Sequence, residues 1–301
     1  MIEVKALTKR FGDFTALDNV TCNIPEGCIY GMVGSNGAGK STLLRLISGV
    51  YRPDAGAVFV DGQPVYENKA VKARIAFVPD DLFFLGGADM RRMAQLYAAA
   101  YPAFDKARFE ALTAAFKLDP KKPLSAFSKG MKRQAAIILS LSSRPKYIFF
   151  DETFDGLDPI MRTLVKKLIV EDVLDRHATA IITSHSLREL EDTCDQLALL
   201  HKGGLVLESD VQNLKTSLFK IQIAFNHEYD RDLFEGLDIL HYTRHGSVAS
   251  FIVRGDREQT VATLQAKLPV LLDVLPLSLE EVFTYEMEAL GYIFDEGEGK
   301  A

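Results

Sequence analysis

The sequence predicts an α/β fold: a mostly parallel core sheet, an antiparallel β layer ahead of it, a helical subdomain inserted into it, and a small α+β domain at the C-terminal end. Three observations carry this. Short apolar runs at residues 28–33 and 146–150 and a further strand-like stretch at 179–183 read as strands buried on both faces, and the first two lead into helical stretches. Residues 2–10 and 19–24 alternate apolar with polar positions, as half-buried antiparallel strands do, with turns at residues 12–13 and 25–27. Beyond about Thr216 the character changes to strand-like pieces at 221–225, 248–253 and 270–275 with helices near 257–267 and from Ser278. The expected domains are therefore 1–215 and 216–301, with a helical subdomain at about 82–145.

Composition bounds the rest. A chain of 301 residues with 48% apolar content can bury a large core or two smaller ones. A net charge of −6 removes the electrostatic footprint of a general nucleic-acid binder, so no nucleic-acid partner is expected. Cys22, Cys28 and Cys194 form neither a C-x-x-C pair nor an even set, which favours buried thiols in a reducing cytosol over disulfides or a zinc site. The first residues enter strand-like sequence directly, without the pattern of a signal peptide. No apolar run approaches the roughly 18–20 residues that span a bilayer, so any membrane-spanning part is expected on another chain.

The motif at the heart of the first domain follows the apolar run 28–33. Gly34, Ser35, Asn36, Gly37, Ala38, Gly39, Lys40, Ser41 and Thr42 fit G-x-x-x-x-G-K-[ST] at every fixed position. Glycines allow the loop conformations closed to residues with a Cβ, so its backbone N–H groups turn inward around a phosphate at a helix N-terminus. Lys40 then reaches the terminal phosphates and the Ser41 hydroxyl ligates magnesium. Upstream, Phe11 lies on the turn between the first two strands, either as an ordinary edge aromatic or as a ring that stacks on a purine.

Downstream, residues 57–60 and 74–78 read as strands, the second ending near Asp80. Met90, Met93, Ala94 and Tyr97 mark an amphipathic helix that Pro102 closes, and a second helix covers about 106–118. Ser128 and Gly130 form a cap leading into the apolar helix 135–141, either a simple N-cap or a second anion site. The strand 146–150 delivers Asp151 and Glu152 at its C-terminal edge. After a phosphate loop, that pair suits magnesium binding by Asp151 and orientation or deprotonation of the attacking water by Glu152. Asp158 precedes a helix running to about Asp175, and the strand 179–183 ends at Ser184 and His185, the sheet edge where such folds carry ligands; a γ-phosphate contact is favoured for His185. Residues 197–200 and 205–207 read as a closing hairpin, and the end, 295–301, as frayed.

The set and order of these pieces resembles the ATP-binding subunit of ABC transporters over roughly residues 2–215, and so implies the ABC ATPase type of P-loop NTPase fold. By that resemblance, Phe11 is the adenine-stacking aromatic, Gly34 to Thr42 the Walker A loop, Asp151 the Walker B aspartate and Glu152 the catalytic glutamate. Phe127 to Met131 stands for the signature, with Ser128 and Gly130 touching the γ-phosphate; Asp158 fits the D-loop and His185 the switch histidine. The stretches 154–162 and 278–283 resemble the exporter branch that includes bacitracin- and lantibiotic-export subunits.

The resemblance implies ATP and Mg2+ as ligands and a head-to-tail dimer with a second ATPase subunit. It further implies an integral-membrane permease as a separate chain, docked on the helical insert and the Asp80 loop, and a place on the inner face of the cell membrane. The rivals are a soluble ABC ATPase and an ATP-sensing regulatory subunit. Four departures mark the chain. Asp80 stands at the Q-loop glutamine, where a carboxylate can still ligate the metal through water but adds negative charge beside Asp151 and Glu152. Lys129 and Met131 replace a signature glycine and glutamine, and Thr153 replaces a proline. The expectation is a working but atypical ATPase.

Overall fold

The computed structural model describes residues 1–289; the end segment 295–301, expected to fray, lies outside the described residues. Contacts divide the chain into two compact units, one covering Met1–Glu208 and the other beginning at Ser209. The helix at Val211–Ser217, which the sequence did not announce, falls in the second unit and runs across the expected boundary between 215 and 216.

In the first unit, β1 (Ile2–Phe11) and β2 (Phe14–Ile24) make an antiparallel ribbon with Ile2 opposite Ile24 and Phe11 opposite Phe14. After β3 (Ile29–Val33) and α1 (Lys40–Ile47), β4 (Ala55–Val60) returns to pair with β1, and β5 (Gln63–Pro64) closes this four-stranded layer. The short α2 (Lys69–Lys72) leads to β6 (Ile75–Val78). The expected helical insert follows as α3 (Met90–Ala100), α4 (Lys106–Ala115) and α5 (Lys129–Ser142). Asp89, Asp105 and Ser128 cap these helices, each accepting the N–H three residues on.

Then come β7 (Tyr147–Asp151), α6 (Pro159–Arg176), β8 (Thr179–Ser184), α7 (Leu187–Glu191), β9 (Gln196–His201) and β10 (Gly204–Asp210). The core sheet runs β10-β9-β3-β8-β7-β6, and β3, β9, β8, β7 and β6 are parallel. Every residue of β3, β7 and β8 is buried, which is why these strands read as apolar runs.

Helix α1 sits between the two sheets, against β7 on one side and β1, β2 and β4 on the other. Its Leu43, Leu44 and Ile47 join Ile2, Leu17, Ile24 and Tyr147 in one core, each such side chain contributing roughly 1.5–3 kcal/mol by leaving water. Parallel register sets Val33 beside Ser184 and Asp151 beside Thr183, so β3, β7 and β8 end together. The three thiols are buried and unpaired, and burial pushes Cys22 and Cys28 up to about 12.

The second unit comprises α8 (Val211–Ser217), β11 (Leu218–Ala224), β12 (Asp238–His245), β13 (Val248–Arg254), α9 (Arg257–Gln265), β14 (Leu271–Leu275) and α10 (Leu279–Ala289). Its sheet runs β12-β13-β11-β14 with antiparallel neighbours, around a core of Ile221, Ile223, Phe234, Phe251 and Leu264.

Candidate active site

The loop between β3 and α1 turns on its glycines. Gly37 and Gly39 have φ of 81° and 106°, in the left-handed region that side chains with a Cβ avoid. At Gly34 the constraint is space, since a Cβ there would lie 2.3 Å from the Leu200 carbonyl oxygen. The loop is anchored by Ala38 N–H to Ser35 O (3.1 Å) and by Gly203 N–H to Ala38 O (3.1 Å). Ser35, Asn36 and Gly37 are exposed at its rim, while Ser41 and Thr42 in the first turn of α1 are half-buried. That turn carries no acidic residue, so the positive end of the helix is left for an external anion.

Lys40 is 5% exposed and curls back over the loop, its Nζ donating to Gly34 O (2.5 Å) and Ser35 O (3.1 Å). It also pairs with Glu152 Oε1 at 3.2 Å. At the end of β7 the buried Asp151 accepts from Ser41 Oγ (2.8 Å) and Thr183 Oγ1 (2.9 Å), both on Oδ1. Burial raises the Asp151 pKa, and these two hydrogen bonds oppose the shift. Glu152 has φ of 46° and its N–H donates to Thr183 Oγ1 (3.0 Å). Its Oε2 lies 3.2 Å from His185 Nδ1, which is also 3.9 Å from Asp155 Oδ2. Lys40, Ser41, Asp151, Glu152 and His185 thus form one connected cluster, closed through Thr183.

The carboxylate oxygen Oδ2 of Asp151 is buried without a hydrogen-bond partner among the described residues. A buried anionic oxygen next to a serine hydroxyl is the donor set a magnesium ion takes, so Ser41 and Asp151 fit the expected metal. Asp80 is engaged elsewhere: it follows β6, and its Oδ1 accepts from Arg133 Nη2 of α5 at 2.8 Å.

The remaining predicted residues lie apart from this cluster. Phe11, at the end of β1, is half-exposed and meets Tyr51 edge-on at 5.6 Å, with Lys9 Nζ 5.4 Å from its ring centre. Ser128 caps α5 through Met131 N–H (3.2 Å), and Asp158 caps α6 through Ile160 and Met161 N–H (both 3.0 Å). Gly130 packs close to the loop after Glu152, where a Cβ would come within 3.0 Å of Gly156 O. Among the described residues, none of these three hydrogen-bonds to the phosphate loop. Two residues escaped the sequence reading. Thr183, inside an apolar strand, signals itself only as a hydroxyl one place before the strand end; Arg133 gives no signal, being one of several cations at the start of α5.

Comparison with known proteins supports the motif reading. A family model described as ABC transporter matches residues 17–155. The ABC transporter ATP-binding protein YtrB of Bacillus subtilis (strain 168) is 30% identical over 283 residues, 94% of this chain and 97% of that protein. The bacitracin transport ATP-binding protein BcrA of Bacillus licheniformis is 30% identical over 71% of each chain. A solved ATP binding subunit of an ABC transporter matches with a TM-score of 0.67 and 26% identity, over 71% of this chain and 92% of that one.

Proposed function

This chain belongs to the ABC transporter ATP-binding proteins, a family of ATPases, and from that premise we propose that it drives an exporter. In this reading two copies, or this chain and a second ATPase subunit, close head to tail on ATP and act on a separate integral-membrane permease. The observation that carries it is the single hydrogen-bonded and ion-paired cluster of Lys40, Ser41, Asp151, Glu152 and His185 at the ends of β3, β7 and β8.

In this reading the amides of Gly34 to Thr42 and the Lys40 ammonium hold the phosphates, and Phe11 stacks on the adenine. Ser41 and Asp151 would hold magnesium, which would supply positive charge against the phosphates. A triphosphate competes with Glu152 for Lys40, and the released carboxylate takes a proton from water as that water's oxygen bonds to the γ-phosphorus and the bond to the β–γ bridging oxygen breaks. His185 holds Glu152 in place and faces the γ-phosphate. Ser128 and Gly130 of the second subunit, at the positive end of its α5, neutralise the charge from the other side, and Asp158 shapes that interface.

For the permease, α3 and α4 offer a groove of about 800 Å³ lined by Phe104, Phe109 and Leu118, with Arg91, Lys106 and Glu110 among its polar residues. In the loop beyond Asp80, Phe83 is 81% exposed. No helix of the described residues is long and apolar enough to cross a membrane. In this reading the permease holds the chain at the inner membrane face. The similarity to the bacitracin transport protein supports a transport role, and the stretches 154–162 and 278–283 support the export direction.

The test is Glu152→Gln. Turnover should fall by about 10²-fold or more, the scale of a lost general base, while ATP still drives the purified chain from monomer to dimer in light scattering. Turnover at the wild-type rate removes Glu152 from the mechanism; a chain that stays monomeric with saturating ATP removes the dimer.

A further inference from the structure

Arg133 stands in the second turn of α5, beyond the Ser128 cap, and is 1% exposed. A guanidinium is kept from water only where partners hold it. Its Nη2 donates to Asp80 at 2.8 Å, while Nε and Nη1 are buried with no hydrogen-bond partner among the described residues. Asp80 is therefore its one ionic partner at bonding distance among them; the Asp80 side chain is 55% exposed. Gly130 closes on Gly156 of the loop after Glu152, and Asp155 approaches His185. The start of α5 is thus seated on two chain segments leaving the ends of β6 and β7, through the Arg133–Asp80 ion pair on one and the close approach of Gly130 to Gly156 on the other.

We propose that Asp80 and Arg133 are a positioning pair: their ion pair fixes the direction of the α5 N-terminus, and with it Ser128, relative to the Glu152 cluster, and Asp80 acts through Arg133 rather than on magnesium. The charge balance supports this. A free carboxylate turned toward Asp151 and Glu152 would repel them, whereas one neutralised by Arg133 would not. Turning Asp80 toward a metal would leave Arg133 buried with no counter-charge, the costlier of the two arrangements. The inference rests on the reading that Ser128 serves the site of a second subunit.

The test is a double-mutant cycle on the full chain with Asp80→Asn, Arg133→Met and both together, with Arg133→Gln as a second variant should the methionine prevent folding. The pair predicts a kcat lowered by about tenfold in each single variant and no further in the double, because both remove one interaction. It predicts half-saturating Mg2+ within about twofold of wild type, and binding of a fluorescent ATP analogue to the monomer equally unchanged, since the phosphate loop is untouched. A Mg2+ requirement raised tenfold by Asp80→Asn alone returns Asp80 to the metal and overturns the proposal, as do single effects that multiply in the double. Analogue binding lost in step with kcat shows a merely structural contact and also overturns it. Failure of the underlying reading shows separately, as a Glu152→Gln chain that never dimerises with ATP. A Glu152→Gln dimer that forms, and is unaffected by adding Asp80→Asn, refutes the pair alone.

Discussion

Thr183→Val tests whether the two carboxylates at the end of β7 owe their geometry to β8. The Thr183 hydroxyl donates to Asp151 Oδ1 at 2.9 Å and accepts the Glu152 N–H at 3.0 Å, in a buried position where valine keeps the shape and removes both bonds. A hydrogen bond to a charged group contributes about 1.5–3 kcal/mol, and a buried amide left unsatisfied costs about 1–3 kcal/mol. Together these come to roughly 2.5–6 kcal/mol, a fall of on the order of 5–24 °C in unfolding midpoint for a unit of this size.

The catalytic effect is expected to be larger than the stability effect implies. Glu152 holds φ of 46°, a conformation costing roughly 1–2 kcal/mol in a residue with a Cβ, and the Thr183 bond is what its N–H uses there. Released, the backbone relaxes and swings the carboxylate, and misplacing a catalytic group by about 1 Å costs about 10²-fold. Steady-state ATPase should show kcat down by roughly 10- to 100-fold with ATP affinity little changed, and Thr183→Ser, which restores the hydroxyl, should recover most of it. A valine variant with kcat within about twofold of wild type refutes the positioning argument.

Two further outcomes follow from buried charge. Burial raises the Asp151 pKa, so the folded chain holds that proton more tightly than the unfolded one, and the contribution of Asp151 to stability is greatest below the unfolded value and lost as pH rises through the folded value. Asp151→Asn should therefore raise the nucleotide-free unfolding midpoint at pH 7, by less and less toward about pH 4, while abolishing turnover; a lowered midpoint at pH 7 contradicts the sign. Asp172, buried on α6, receives Arg108 of α4 at 2.6 Å and Arg176 at 2.7 Å. Asp172→Asn leaves two cations without their shared counter-charge and should cost about 3–5 kcal/mol in chemical denaturation; a change below about 1 kcal/mol would show the link to be replaceable.

Much of this architecture is written in local sequence because its elements answer to local rules. Buried parallel strands such as β7 and β8 read as apolar runs, and Gly34, Gly37 and Gly39 announce a loop that no other residue type fits. The elements that escaped are those whose reason lies elsewhere in the chain. Helices α2, α7 and α8 are too short to show a helical period, and β12 carries Asp, His and Arg among its few apolar residues, so only its pairing with β13 makes it a strand. Thr183 and Arg133 are illegible for the same reason: each matters through a partner dozens of positions away.

The signature half of the site poses a different question, because its residues already have uses inside their own chain. Ser128 caps α5 and Asp158 caps α6, while Gly130 is needed where the Gly156 carbonyl comes close. What remains for a neighbour is what those uses leave over. Among the described residues the Ser128 Oγ takes only the Met131 N–H, so the amides of Lys129 and Gly130, the other orphan donors of the first turn, stay directed off the helix end. Replacing a signature glycine by Lys129 leaves those backbone donors in place, and it adds a cation at an end that is already positive. That arrangement is unfavourable for the helix alone and becomes favourable with an anion at that end, so the departure at Lys129 is compatible with the proposed role of Ser128 and Gly130 toward a second subunit's nucleotide.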